Sequence, residues 1–247
     1  MKHRRLTAGI LLIGLLVYNT ALAIEHSWRY AASTDAEHWS ELDPEYALCR
    51  AGKRQSPINI EHAISTHLPA LKTEYFIGPA TVKHTGHTLE LTFDTPGQLT
   101  VGAQIYDFVQ LHFHTPSGEQ IKGRSYPLVA HLVHRSKKGK LAVIAILMRP
   151  GKAHPNLAQL LAVMPRHEGD SMVIGRFDVA NLFPANRAHY TYNGSLPVPP
   201  CTEGVRWYVL KTAVEVSEAQ INAFQLVFPM NARDVQPTHK RVIRVGG

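Results

Sequence analysis

The stretch that decides the fold is Ile105-Tyr-Asp-Phe-Val-Gln-Leu-His-Phe-His114. It is rich in β-branched and aromatic residues and contains neither Gly nor Pro, so it reads as a strand. In a strand, residues i and i+2 share a face. His112 and His114 therefore project together, while Leu111 and Phe113 face the opposite side. Seventeen residues after His114, His131 lies in Leu128-Val-Ala-His-Leu-Val-His134, a second run that could bring it opposite the first two as a neighbouring antiparallel strand. Three imidazoles on a rigid sheet leave one tetrahedral position open, the arrangement of catalytic rather than structural zinc. A His-x-His pair alone is a weak signal, because exposed strands often carry paired histidines. The third histidine gives the pair its weight.

Working outward, similar apolar or alternating runs recur at Thr88–Phe93, Leu141–Met148 and Val205–Lys211. Turn residues separate them, which reads as a largely antiparallel sheet. Two helices are expected at the periphery. One covers about Leu157–Met164; the other begins at Ser217, where Ser217 and Gln220 form a capping box and Ile221, Phe224 and Val227 an inward stripe. The 247 residues hold no repeat, low-complexity tract or Gly/Ser linker, so a single mainly β domain is expected.

Charged residues make up 18% and apolar residues 45%, which excludes a disordered chain. The N-terminus reads as a secretory signal peptide over residues 1–23. Lys2, Arg4 and Arg5 form its basic region, Ala8 to Tyr18 its apolar stretch and Ala21-Leu22-Ala23 its cleavage site. The apolar stretch is short for a membrane span and lacks a basic flank after it, so no stable membrane anchor is expected. The mature domain is then 24–247, and removing three basic residues lowers the net charge from +7 to +4. That is too mild to argue for nucleic acid. Lys137, Lys138 and Lys140 read as a solvated turn without interleaved aromatic residues. Export to an oxidising compartment, periplasmic or extracellular, makes Cys49 and Cys201 disulfide candidates, with two buried thiols as the alternative. A bond closing about 150 residues stabilises by roughly 5 kcal/mol in chain-entropy models.

From Trp28 to Arg241 the sequence resembles the α-class carbonic anhydrases, particularly their secreted bacterial members. The resemblance rests on Glu37-His38-Trp39, Gln55-Ser56-Pro57-Ile58-Asn59-Ile60, Gly86-His87-Thr88 and the Gln110–Pro116 and Ala130–His134 segments. Tyr192-Asn193-Gly194-Ser195-Leu196, Pro199-Pro200-Cys201-Thr202-Glu203-Gly204-Val205, Asn231-Ala232-Arg233 and Gln236-Pro237 complete it. It implies a large twisted, mostly antiparallel sheet and reversible hydration of CO2 to bicarbonate. It also implies zinc on His112, His114 and His131, a proton shuttle at His87, and a Cys49–Cys201 disulfide. Carbonic anhydrases are themselves the standard example of zinc lowering the pKa of a bound water to about 7. Val133, Val143, Leu196, Val198 and Trp207 would line the CO2 pocket; ordinary core packing is the other reading of the wall. His38 and His134 are expected in structural roles, His84 beside the shuttle position is assigned no role, and the remaining histidines are expected in solvent or turns. Monomer and dimer both remain open.

Three departures from the family pattern concern one function. The family threonine that hydrogen-bonds the zinc-bound hydroxide and donates to a glutamate is Pro197 here, which has neither hydroxyl nor N–H. The following family threonine is Val198, and the partner glutamate position is Gly118. Glu119 is the candidate substitute for that relay if its loop shifts. The glutamate expected two residues before the third ligand is Val129, a loss that typically weakens metal binding about 10- to 100-fold. A non-catalytic zinc-binding module of the same fold is thus the alternative to an enzyme. A zinc buffer would be expected to carry exposed His-rich tracts, which the sequence lacks.

Overall fold

The computed structural model describes residues 28–30, 35–95 and 97–247. The expected signal peptide, 1–23, lies outside the described residues. Among those described, no helix is long and apolar enough to cross a membrane.

Among the described residues the body of the protein is a 13-stranded sheet. Its main path uses β1 (Ile64–Ser65), β2 (Gly78–His84), β3 (Leu89–Phe93), β4 (Gln104–His114) and β5 (Leu128–Arg135). It continues through β6 (Leu141–Pro150), β7 (Ser171–Phe177), β8 (His189–Ser195), β9 (Glu203–Leu210) and β10 (Arg244–Gly246). The spatial order is β7-β2-β3-β4-β5-β6-β9-β8-β10-β1. Most pairs are antiparallel, but β6–β9 and β10–β1 are parallel, so the sheet is mixed.

Alternation along the central strands sorts two cores onto the two faces. In β6 every residue from Ala142 to Met148 is buried, as expected of a strand covered on both sides. Ala142, Ile144, Ile146 and Met148 join the larger core, which also takes Leu111, Phe113 and Leu132. Val143, Ala145 and Leu147 join the smaller core with Val129, Trp207 and Val209. The strand period thus assigns His112, His114 and His131 to the face of the smaller core.

The helices Pro155–Ala162 and Glu218–Gln225 cover the larger core through Leu157, Leu160, Ile221 and Phe224. The second starts at the expected Ser217–Gln220 capping box. The first begins two residues before the expected Leu157, because Pro155 takes an early helical position and His154 accepts from Asn156 N as N-cap. His154 and His189 are buried, correcting their assignment to solvent or turns. His134 is buried with its Nε2 2.9 Å from the Tyr75 hydroxyl, and His84 accepts from Gly86 N.

Candidate metal centre

β4 and β5 pair antiparallel with His112 directly opposite His131. Together with His114 they offer three ligand atoms that all lie within 4.8 Å of one another. Each ring has one nitrogen committed to the protein. His112 Nδ1 is 2.8 Å from Gln110 Oε1, and His114 Nδ1 is 2.6 Å from the carbonyl of Asn231. His131 Nε2 lies 3.2 and 3.1 Å from the two carboxylate oxygens of Glu119.

The remaining nitrogens define the centre. His114 Nε2 and His131 Nδ1 are buried without a hydrogen-bond partner, which is costly for a polar atom unless a ligand satisfies it. With His112 Nε2 they form a set of imidazole donors suited to zinc. Burial holds His112 well below its ordinary pKa, and burial with the nearby His131 holds His114 at about 3. Both rings are therefore deprotonated at neutral pH, as metal ligands must be.

The Glu119 carboxylate faces His131, and it lines the same small cavity as Pro197, where its Oε1 has no hydrogen-bond partner. Residues 115–119 lie outside any strand, so strand alternation does not govern where Glu119 points. Burial raises its pKa, but the charge and hydrogen bond of His131 outweigh that and leave it lowered. Gly118 sits so close to Pro57 that an added Cβ would come within 2.7 Å of the ring Cγ. A cavity of about 10 Å³, near the lower limit for one water, lies between Pro197, Glu119, His114 and His131.

The apolar positions form a row across three strands: Val133 opposes Val143, and Val143 opposes Trp207. Trp207 lies edge-on to His131, with ring centroids 5.1 Å apart, and its Nε1 donates to the carbonyl of Ser195 at 3.0 Å. Val143 and Trp207 are buried in the smaller core, with Val133 and Leu196 partly buried against it. Val198 follows in the adjoining turn, is partly exposed, and does not join that cluster. The turn is anchored by the Cys49–Cys201 disulfide.

His87 lies in the turn between β2 and β3, half-buried and stacked on Trp28 with ring centroids 3.7 Å apart. Burial pushes its pKa below the ordinary value, partly offset by the charge of Glu168. Asn231 joins this turn to the ligand strand. Its side-chain N–H donates to the carbonyls of His87 and Phe113, while its own carbonyl faces His114. Sequence reading assigned no role to Gln110 or Asn231. The i, i+2 relation to His112 could have pointed to Gln110, whereas Asn231 is 117 residues from His114 and carried no such signal.

A family model for eukaryotic-type carbonic anhydrases matches residues 34–246. The chain is 39% identical to a carbonic anhydrase of Neisseria gonorrhoeae over 242 residues, covering 97% of this chain and 96% of that protein. Among solved structures, the Thermovibrio ammonificans α-carbonic anhydrase in complex with the inhibitor sulfanilamide superposes with a TM-score of 0.86 at 38% identity. That match covers 88% of this chain and 98% of the other. Dioscorin complexed with ascorbate superposes with a TM-score of 0.83 at 31% identity, covering 89% and 97%. The chain belongs to the eukaryotic-type, or α-class, carbonic anhydrase family.

Proposed function

We propose that the protein is a zinc-dependent enzyme of an oxidising, exported compartment that interconverts CO2 and bicarbonate. The observation that carries this reading is the convergence of three imidazoles within 4.8 Å beside an apolar wall. The disulfide supports the compartment, as does the signal-peptide pattern of residues 1–23.

When bound, zinc supplies Lewis acidity and lowers the pKa of a coordinated water; the known value in carbonic anhydrases is about 7. His112 and His114 would hold it through Nε2 and His131 through Nδ1, because their other nitrogens are tied to Gln110, Asn231 and Glu119. Val133, Val143, Leu196 and Trp207 then form an apolar recess that receives CO2 and excludes water. His87, half-buried and with its pKa held below the usual imidazole value, accepts a proton and passes it to solvent.

A second reading has its own observation. Pro197 and Gly118 remove both ends of the family's threonine–glutamate relay, and losing one oriented hydrogen bond to a reacting group costs about 10²–10³ in turnover. The two losses concern one network and so overlap rather than multiply. A zinc-binding module without hydration activity would fit that stripped site. Zinc content together with stopped-flow CO2 hydration separates the readings. Turnover far above the uncatalysed rate supports the enzyme, and bound zinc without turnover supports the module.

A further inference from the structure

We infer that Glu119 is the positioning residue for His131, a carboxylate supplied by the loop in place of the one absent from Val129. The inference rests on the metal-binding reading above, because Glu119 acts on the metal only through the His131 ring.

Four observations carry it. Glu119 is wholly buried, and a buried carboxylate is costly unless paired. Its ion-pair partner is His131, and among the described ion pairs this is the one with both side chains buried. The loop that presents it is fixed on both sides. Ser117 Oγ donates to the Glu119 carbonyl at 2.8 Å, Ser117 N and Tyr126 O pair at 2.8 Å, and Gln120 N donates to Ile58 O at 3.2 Å. Finally, Val129 is buried in the smaller core on the same strand face as His131. An apolar side chain there offers the ring nothing, yet Nε2 has a carboxylate from another direction.

The arrangement also completes a pattern. His112 and His114 lean on neutral acceptors, a side-chain amide and a backbone carbonyl. His131 alone leans on a charge. A carboxylate on Nε2 fixes the tautomer that leaves Nδ1 free to ligate and makes the ring a stronger donor. The 10- to 100-fold loss expected from Val129 is thereby avoided.

Zinc affinity measured by chelator competition tests this in the full chain and in Glu119→Gln, Glu119→Ala and Glu119→Ala with Val129→Glu. Glu119→Ala is expected to bind zinc about 10- to 100-fold more weakly. Glu119→Gln, nearly isosteric, keeps an acceptor without the charge and should show a smaller loss. It also carries the test if the alanine variant does not fold. Adding Val129→Glu to the alanine variant should restore most of the affinity, and the visible absorption of the cobalt-loaded protein should shift with the first change and return with the second. Affinities of both single variants within twofold of the unmodified chain overturn the proposal. So does a loss that Val129→Glu fails to rescue, since the defect is then general. Failure of the unmodified chain to bind zinc brings down the proposed function itself, a result distinct from normal zinc binding that ignores Glu119.

Discussion

On the His131 flank of the pocket, position 129 holds no carboxylate, but Glu119 lies 3.1–3.2 Å from the ring nitrogen that such a group would serve. On the other flank Pro197 has no N–H to give. Glu119 and Arg233 line the same small cavity and bond His131, Gln55 and Ser56, while Glu119 Oε1 and Arg233 Nε are buried without a hydrogen-bond partner. Holding a ring in one tautomer can be done from any direction that reaches its nitrogen. Orienting a reacting group needs a donor or acceptor at one fixed point. The two flanks therefore bear on two properties that usually travel together, tight metal binding and fast turnover.

Sulfonamide binding sharpens the contrast most. The solved structure of the Thermovibrio ammonificans relative is a complex with the inhibitor sulfanilamide. In this chain Pro197 can neither donate a backbone N–H nor offer a hydroxyl. Pro197→Thr is expected to tighten sulfanilamide about 10- to 100-fold, the yield of one or two hydrogen bonds to a polar inhibitor. Inhibitor titration of the zinc-loaded proteins checks this; equal affinities would show that the flank is not stripped.

A smaller effect separates the site face of β5 from its core face. Burial holds His134 at a pKa of about 3, so it stays neutral in the fold while the unfolded chain protonates near 6.5. The unfolded state then binds more protons between those values, and stability falls as pH falls through the window. From pH 7 to pH 5 this costs about 2 kcal/mol at roughly 1.4 kcal/mol per unit. Urea denaturation at both pH values should show a flatter dependence in His134→Gln, and an unchanged slope would contradict the assignment.

The smallest expected effect concerns the closed loop. Gly118→Ala places a Cβ within 2.7 Å of the Pro57 ring and should cost about 1 kcal/mol or more in thermal denaturation. The same collision means that Gly118→Glu cannot simply rebuild the missing relay. A neutral or stabilising Gly118→Ala would show that this loop is looser than drawn.

The central strands and the three histidines were legible because β5, β6 and the part of β4 from Gln110 onward obey the period of two; a bulge between Phe108 and Gln110 shifts the alternation earlier in β4. β7 was not: it lies at the sheet edge, contains Gly175, and exposes Met172 and Val173. β8 hides behind the polar run His189-Tyr-Thr-Tyr-Asn-Gly-Ser195. At the site, Gln110 shares a strand face with His112 and was within reach of pattern reading. Glu119 and Asn231 were beyond it, since a loop has no period and a backbone carbonyl contributed across 117 residues leaves no trace in residue type. His154 was misread because a histidine serving as N-cap resembles a turn residue in sequence.

Stopped-flow CO2 hydration, on protein verified to hold one zinc per chain, tests the contrast between the two flanks most directly. We predict full zinc occupancy with turnover about 10²–10³ below that of a relative with an intact threonine–glutamate relay. Turnover equal to that relative at equal zinc occupancy would contradict the account.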